Sequence, residues 1–295
     1  YKGAMTMNAI QIKNITKRYK DVTALDDVSF SFEFGKIYGF LGRNGAGKTT
    51  LINIIANRIF ADQGEILIDG IPAKENMGVH EKIFCMSEAD LYDRDLKVKD
   101  HFKWTNRFYT DFDLKKAFEL SKKFNLDTNK RFKALSKGYQ SIFKLIIALS
   151  LNVPYVIFDE PVLGLDANHR ELFYSLLLKE FENNERTLII ATHLIEEVSN
   201  IIEEVVLIDK GKILVQETVE ELLEKGYSVS GAAQEVDHYC VGRNVIGYDE
   251  LGGLKVAYIL GEKTVLPQES NLQITAMNLQ KLFVKMTEKG GGEND

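Results

Sequence analysis

The stretch Gly42-Arg43-Asn44-Gly45-Ala46-Gly47-Lys48-Thr49 decides the fold of this chain. It matches the phosphate-binding pattern G-x-x-x-x-G-K-[ST]. The apolar run Lys36–Leu41 (KIYGFL) before it predicts a short buried strand, and Thr50–Arg58 (TLINIIANR) predicts the helix that follows. Glycines let the backbone approach a phosphate chain with N–H groups pointing inward, and the helix adds the positive end of its dipole. The alternative is a chance match, but the strand–loop–helix context favours nucleotide binding.

Two residues of this loop have specific expected roles. Lys48 should reach the outer phosphates, and the Thr49 hydroxyl should ligate Mg²⁺. The remaining candidates for contact with the nucleotide are Gly42, Asn44, Gly45, Ala46, Gly47 and Thr50. The expected ligands are therefore ATP or ADP together with Mg²⁺.

A pair of carboxylates, Asp159 and Glu160, follows the fully apolar run Tyr155–Phe158 (YVIF). Such a run predicts a central parallel strand, and open α/β sheets bind ligands at the carboxyl ends of their strands. Asp159 is expected to hold Mg²⁺, and Glu160 to accept a proton from attacking water. The alternative is an ordinary acid pair that caps a helix or faces solvent, which the upstream phosphate loop disfavours.

A second candidate anion site is the segment Leu135–Gln140 (LSKGYQ), which precedes the apolar-periodic helix SIFKLIIALSL. Ser136 is a suitable N-cap, and Gly138 permits close backbone approach. In isolation the segment is typical of any capped helix. A histidine, His193, follows the buried run Thr187–Ala191 (TLIIA) in the segment Ala191-Thr192-His193-Leu194, and it is similarly ambiguous. A lone histidine is usually structural, but one at the same sheet edge as Asp159 can contact a γ-phosphate or water.

Composition limits the function classes. The 295 residues carry a formal net charge of −6, whereas proteins dedicated to nucleic acid are usually basic, so no nucleic-acid partner is expected. Cys85 and Cys240 lie far apart in the sequence and predict two free thiols. The sequence contains no run of 18 apolar residues, so a membrane role would be exercised from the water side.

The pattern of elements predicts an α/β fold: a P-loop NTPase core with a mixed sheet, an inserted helical subdomain and a small C-terminal α+β appendage. The expected divisions are 1–7, a remnant of cloning or N-terminal extension; 8–226, the ATPase domain, with the helical part at about 90–136; 227–287, an accessory domain; and 288–295, a disordered tail. A short helix over Val219–Lys225 is expected to end at Gly226. The runs VDHYCV (236–241), NVIGYD (244–249) and LKVAYIL (254–260) are interpreted as strands.

The order and spacing of these motifs over residues 8–225 resemble the ATP-binding subunits of ABC transporters. In that resemblance Gly42–Thr49 is Walker A, Leu135–Gln140 the signature, Tyr155–Glu160 Walker B and Gly164–Asp166 the D-loop. His193 then matches the switch histidine. Tyr19, after the first strand, occupies the place where the family stacks an aromatic ring on adenine, although a plain surface tyrosine is the alternative.

The sequence departs from the family pattern at two points. Glu88 stands where the family usually has a glutamine, so the resemblance makes it a third candidate Mg²⁺ contact whose charge differs. The signature has Lys137 and Tyr139 where the family has glycine and glutamine, while Ser136 and Gly138 are retained.

The resemblance implies a motor that works as a head-to-tail dimer. Each ATP would lie between Walker A of one subunit and the signature of a second ATPase subunit, identical or not. Glu160, His193 and Lys48 would carry catalysis. An integral membrane permease on a separate chain would be the partner, placing the protein in the cytoplasm, peripheral on the inner face of the cell membrane. The lysine-containing signature and the C-terminal appendage resemble bacterial exporters of antimicrobial or toxin peptides of the bacitracin-resistance type.

A different class of function stays open at this stage: a non-transport ATPase that regulates or binds ribosomes or DNA. Translation-type relatives usually carry two ATPase domains, and this chain has room for one. Repair-type relatives separate the motifs by long coiled coils, whereas Lys48 and Ser136 are only 88 positions apart.

Overall fold

The computed structural model describes residues 8–87, 89, 91–263 and 271–289. Its strands are β1 (Asn8–Tyr19), β2 (Val22–Glu33), β3 (Ile37–Leu41), β4 (Gln63–Ile68), β5 (Ile71–Pro72), β6 (Ile83–Met86), β7 (Tyr155–Asp159), β8 (Thr187–Thr192), β9 (Glu204–Asp209), β10 (Lys212–Thr218), β11 (Gly226–Ala232), β12 (Val245–Leu251), β13 (Leu254–Leu260) and β14 (Gln273–Ala276).

The helices of the described residues are α1 (Lys48–Ile55), α2 (Met77–His80), α3 (Val98–Phe108), α4 (Leu114–Lys123), α5 (Lys137–Ser150), α6 (Ala167–Asn183), α7 (Ile195–Val198), α8 (Val219–Lys225), α9 (Ala233–Cys240) and α10 (Leu279–Lys289). A 3₁₀ turn spans Phe132–Ala134. None of the helices in the described part of the chain combines the length and apolar character that a bilayer crossing needs.

The central sheet has six strands in the order β10-β9-β3-β8-β7-β6. The five strands from β9 to β6 run parallel, and β10 pairs antiparallel at the edge. Strands β3, β7 and β8 are fully buried, and they are apolar except for Asp159, Thr187 and Thr192 at strand ends. Their carboxyl ends meet at one edge, which brings the loops after β3, β7 and β8 together. The predicted mixed α/β fold is confirmed.

A second, antiparallel sheet (β2-β1-β4-β5) covers one face of the central sheet through a core that includes Ile12, Phe32, Phe40 and Leu51. On the other face lie α3, α4 and α5, whose buried side chains share a cluster with β7 and β8. The inserted helical part interrupts the chain between β6 and α5. The division at about 90–136 stays a prediction.

The C-terminal domain is an antiparallel sheet in the order β12-β13-β11-β14, with α9 and α10 against it. Its first strand starts at Gly226, and α10 extends to Lys289, so the residues expected to open the tail continue the helix. The interpretation of VDHYCV as a strand is wrong. Val236, Tyr239 and Cys240 are buried on one face of α9, a spacing of three and four that a helix buries and a strand does not.

The C-terminal domain shares its apolar core with the ATPase domain. Leu282 and Phe283 of α10 belong to the same cluster as Ile195 and Val198 of α7, and the two helices are in contact. Helix α7 begins two residues after His193. The appended domain therefore packs against the helix that follows a candidate catalytic residue.

Candidate active site

The phosphate loop connects β3 to α1 and takes a backbone path that only glycine follows without strain. Gly45 and Gly47 have φ values of 81° and 113°. At Gly47 an added Cβ would also lie 2.7 Å from the carbonyl oxygen of Ala24. A hydrogen bond from Ala46 N to Arg43 O closes the turn. The motif glycines are therefore required by conformation and by packing.

Lys48, the first residue of α1, lies beneath this loop with only 6% of its surface exposed. Its ammonium group donates to the carbonyl oxygens of Gly42, at 2.6 Å, and of Arg43, at 3.3 Å. Burial lowers the pKa of Lys48, whereas the nearby carboxylates of Glu160 and Asp159 act in the opposite direction. The loop thus holds a partly desolvated cation, and such a cation binds phosphate oxygens strongly.

Thr49 and Asp159, the two described residues expected to bind Mg²⁺, lie in contact with each other. Asp159 ends β7 almost completely buried, and its Oδ1 accepts a hydrogen bond from Thr49 Oγ1 at 3.4 Å. Hard oxygen ligands from one carboxylate and one hydroxyl, next to a phosphate site, are the set that Mg²⁺ uses with nucleotides. The residues present therefore fit the cation. The third candidate contact, Glu88, lies outside the described residues.

Glu160 is the centre of the candidate catalytic group. It has a positive φ of 49°, which turns its side chain towards the neighbouring strand end. Thr192 Oγ1 donates to its Oε2 at 2.8 Å, and its Oε1 lies 2.9 Å from Nδ1 of His193 and 3.7 Å from Nζ of Lys48. A carboxylate oxygen only accepts, so Nδ1 carries the hydrogen and Nε2 is left to face a ligand.

The structure thus unites five residues that the sequence indicated, Lys48, Thr49, Asp159, Glu160 and His193, by direct contacts. Thr192 completes the group and was missed by sequence reasoning. Its only signal is its place at the end of a buried strand, immediately before His193. In the part of the chain that the structure describes, Tyr19, Ser136 and Gly138 have no hydrogen bond or ion pair with this group.

Ser136 is the N-cap of α5, as predicted, and accepts a hydrogen bond from Tyr139 N at 3.3 Å. Its side chain is exposed at the end of a helix of 14 residues. The expectation that Tyr19 lies in a loop is wrong. Tyr19 is the last residue of β1 and pairs with Val22 across a tight turn; it is 46% exposed, with Lys17 Nζ 5.5 Å from its ring centre.

Gly138 has a packing requirement that gives the first prediction. An added Cβ there would lie 2.8 Å from the carbonyl oxygen of Gly164, a backbone atom of the D-loop segment. Gly138→Ala should therefore push α5 and this segment apart, with a cost of about 1–3 kcal/mol in the free energy of unfolding and a loss of roughly tenfold in ATP turnover. Chemical denaturation and a phosphate-release assay measure both effects.

Gly78→Ala is the matched control, because its added Cβ would approach only Asn76 Oδ1, at 3.8 Å, within the short helix α2. This variant should keep wild-type turnover and stability. Equal behaviour of the two alanine variants would contradict the packing argument.

Fold and site together define a phosphate-loop ATPase. A family model described as "ABC transporter" matches residues 25–163. The ABC transporter ATP-binding protein NatA of Bacillus subtilis (strain 168) is 31% identical over 227 residues, covering 73% of this chain and 92% of NatA. The uncharacterized ABC transporter ATP-binding protein MJ1023 of Methanocaldococcus jannaschii is 32% identical over 225 residues, covering 73% of this chain and 80% of that protein.

A solved structure agrees with these relatives. The dimeric post-hydrolysis state of the ATP-binding cassette MJ0796, bound to ADP and Pi, is 25% identical, with a TM-score of 0.65 over 71% of this chain and 98% of that one. The chain belongs to the ABC transporter family. It is an ATP-binding subunit with ATPase activity, and both the predicted family and the predicted enzyme class are confirmed.

Proposed function

We propose that the chain is the ATP-hydrolysing motor of an ABC transporter, that it dimerises on ATP binding, and that it drives a separate membrane permease. The observation that carries the proposal is the convergence of Lys48, Asp159, Glu160 and His193 at the carboxyl edge of one parallel sheet. Hydrolysis of a γ-phosphate needs a phosphate-binding loop, a cation site and a carboxylate that can accept a proton, and this group supplies all three.

Dimerisation is supported by the position of Ser136. It lies outside the catalytic group of its own chain, while the exposed amino end of α5 offers a hydroxyl and the positive end of the helix dipole. A second ATPase subunit, whether identical or not, would present this helix end to the triphosphate held by Lys48. The ATP then lies between the two subunits, and its hydrolysis weakens their contact.

In the proposed mechanism Glu160 orients the attacking water and accepts its proton. Thr192 and His193 fix the two carboxylate oxygens, so the base is already positioned before ATP arrives. Nε2 of His193 contacts the γ-phosphate, and Lys48 exchanges its loop carbonyls for phosphate oxygens. Mg²⁺, held by Thr49 and Asp159, would neutralise phosphate charge when bound. Glu88 stays a proposed contact of the cation, and Tyr19 a proposed stacking partner of adenine.

The permease is proposed to dock on the helical part, which carries an exposed aromatic pair. Trp104 and Phe108 of α3 are 46% and 76% exposed, and their rings stack with centroids 6.1 Å apart. The other aromatic residues of this region pack inward, with Phe102 and Phe112 buried and Tyr109 against the same cluster. A helix of a membrane partner would cover the pair, and the protein would be peripheral at the inner membrane face.

Export of peptides or antibiotics is the proposed transport function, supported by the Lys137-containing signature and the appended domain of residues 226–289. The test is co-expression with the membrane protein encoded by a neighbouring gene in a bacitracin-sensitive bacterium. We expect at least a severalfold rise in the inhibitory concentration of bacitracin and recovery of the chain in the membrane fraction.

The Glu160→Gln chain with the same membrane protein is the control, and it should leave the host sensitive. Resistance that does not depend on Glu160 would contradict ATP-driven export. Association with RNA or DNA instead of the membrane protein would favour the ribosome- or DNA-bound alternative.

A further inference from the structure

Helix α5 buries a lysine where its sequence is otherwise strongly apolar. Lys144 is 5% exposed, and its neighbours Phe143 and Leu145 are completely buried. An ammonium group costs several kcal/mol to remove from water unless other groups compensate it. The position therefore requires partners that make the buried charge tolerable.

The partners lie in the loop that follows β6. Lys144 Nζ donates to the carbonyl oxygens of Ser87, at 3.2 Å, and Ala89, at 3.1 Å. These residues are the two sequence neighbours of Glu88. Because β6 pairs in parallel with β7, with Met86 opposite Phe158, this loop leaves the sheet beside Asp159. The lysine thus joins α5 to the backbone next to the catalytic carboxylates.

A cavity of about 240 Å³ separates α5 from the catalytic carboxylates, and Lys144 lines it. Its walls include Ser87, Asp159 and Glu160. The helix contributes Lys137, Gln140, Ser141 and Lys144, which are spaced by three, four and seven residues and so form one polar stripe. The face that the helix turns towards the carboxylates is therefore polar, unlike the rest of the helix.

We propose that Lys144 is a positioning residue, which fixes the backbone at Ser87 and Ala89 beside the nucleotide site and ties its position to α5. Ser136 caps the amino end of α5. A displacement of that end by a companion subunit therefore moves the lysine and, with it, two carbonyl groups beside Asp159. The inference rests on the proposed catalytic roles of Asp159 and Glu160.

The test compares Lys144→Met with wild type in the full-length chain, using kcat, the dissociation constant of ATP and the Mg²⁺ concentration for half-maximal turnover. Misplacing catalytic groups by about 1 Å costs up to roughly 100-fold in rate. We expect kcat to fall by at least about tenfold and the Mg²⁺ requirement to rise, while ATP affinity changes less than about threefold. Lys144→Arg, which retains charge and donors, should recover most of the turnover.

Lys285→Met is the matched control, since Lys285 is another buried lysine, paired with Asp249 and Glu288 in the C-terminal domain. It can lower the melting temperature but should keep wild-type kcat and Mg²⁺ requirement. If Lys144→Met does not fold, Lys144→Gln, a neutral donor, is expected to fold and to lose turnover at least threefold.

Wild-type kcat in the folded Met or Gln variant would overturn the inference. So would a fall in kcat that Lys285→Met reproduces. The proposed function would survive either result, provided that the wild-type enzyme hydrolyses ATP and the Glu160→Gln enzyme does not. Unchanged hydrolysis in Glu160→Gln would instead contradict the proposed function itself.

Discussion

Glu160→Gln is expected to lower kcat for ATP hydrolysis by about 10²- to 10⁴-fold, the usual contribution of a general base. The amide keeps the shape of the side chain but cannot accept the proton of water. ATP affinity should be retained or increased, because the variant removes a negative charge 3.7 Å from Lys48. Phosphate release and equilibrium binding of a fluorescent ATP analogue measure the two quantities.

The same variant should accumulate as a dimer in ATP and Mg²⁺, since the contact between subunits persists when hydrolysis stops. Sedimentation analysis with ATP and with ADP distinguishes the two states. Glu196→Gln, an exposed carboxylate on α7 close to the site, is the control and should behave as wild type. A Glu160→Gln protein that hydrolyses ATP at the normal rate, or stays monomeric, would refute the assignment of the base.

Lys48→Met should weaken ATP binding by about 10- to 100-fold, because a charge-assisted hydrogen bond contributes about 1.5–3 kcal/mol. The melting temperature without nucleotide should change little. The substitution removes a positive charge that burial destabilises. It also leaves Glu160 with hydrogen-bond partners, because Thr192 and His193 still contact its carboxylate. Calorimetric titration with ATP and thermal denaturation give the two measurements.

Lys13→Met is the control for loss of a positive charge, since Lys13 is exposed on β1 and forms a surface ion pair with Glu65. Such pairs contribute little to stability, so this variant should bind ATP as wild type does. Equal affinity in Lys48→Met and wild type would contradict the role of Lys48.

The phosphate loop and the acids after β7 could be predicted because their chemistry and their backbone requirements are local. Glycines at positive φ, a lysine at the helix start and a carboxylate at a strand end are all visible in a few residues. Helix α6 begins at Ala167, because the side chain of Asp166 caps it by accepting a hydrogen bond from His169 N.

Features set by distant neighbours were not predictable in the same way. Strand β1 continues beyond Ile15 through polar residues to Tyr19, because it pairs with β2 up to that point. Gly226 ends α8, as expected, but the reason for a glycine at this position lies in a distant helix. The φ of Gly226 is −90°, and glycine is needed there because a Cβ would lie 2.6 Å from Leu282 of α10.

The partners of Lys144 and Thr192 are similarly remote in sequence. Lys144 reaches residues 55 and 57 positions away, and Thr192 reaches Glu160, 32 positions away. Neither belongs to a motif, so only the folded arrangement shows what they contact.

The apolar cluster that α7 shares with α10 has an energetic consequence. Because Ile195 and Val198 are covered by the same side chains that hold the C-terminal domain in place, neither part can unfold without exposing the interior of the other. Heat should therefore melt both parts in a single transition. By mass action, nucleotide bound at the phosphate loop should then also stabilise α10 against thermal unfolding.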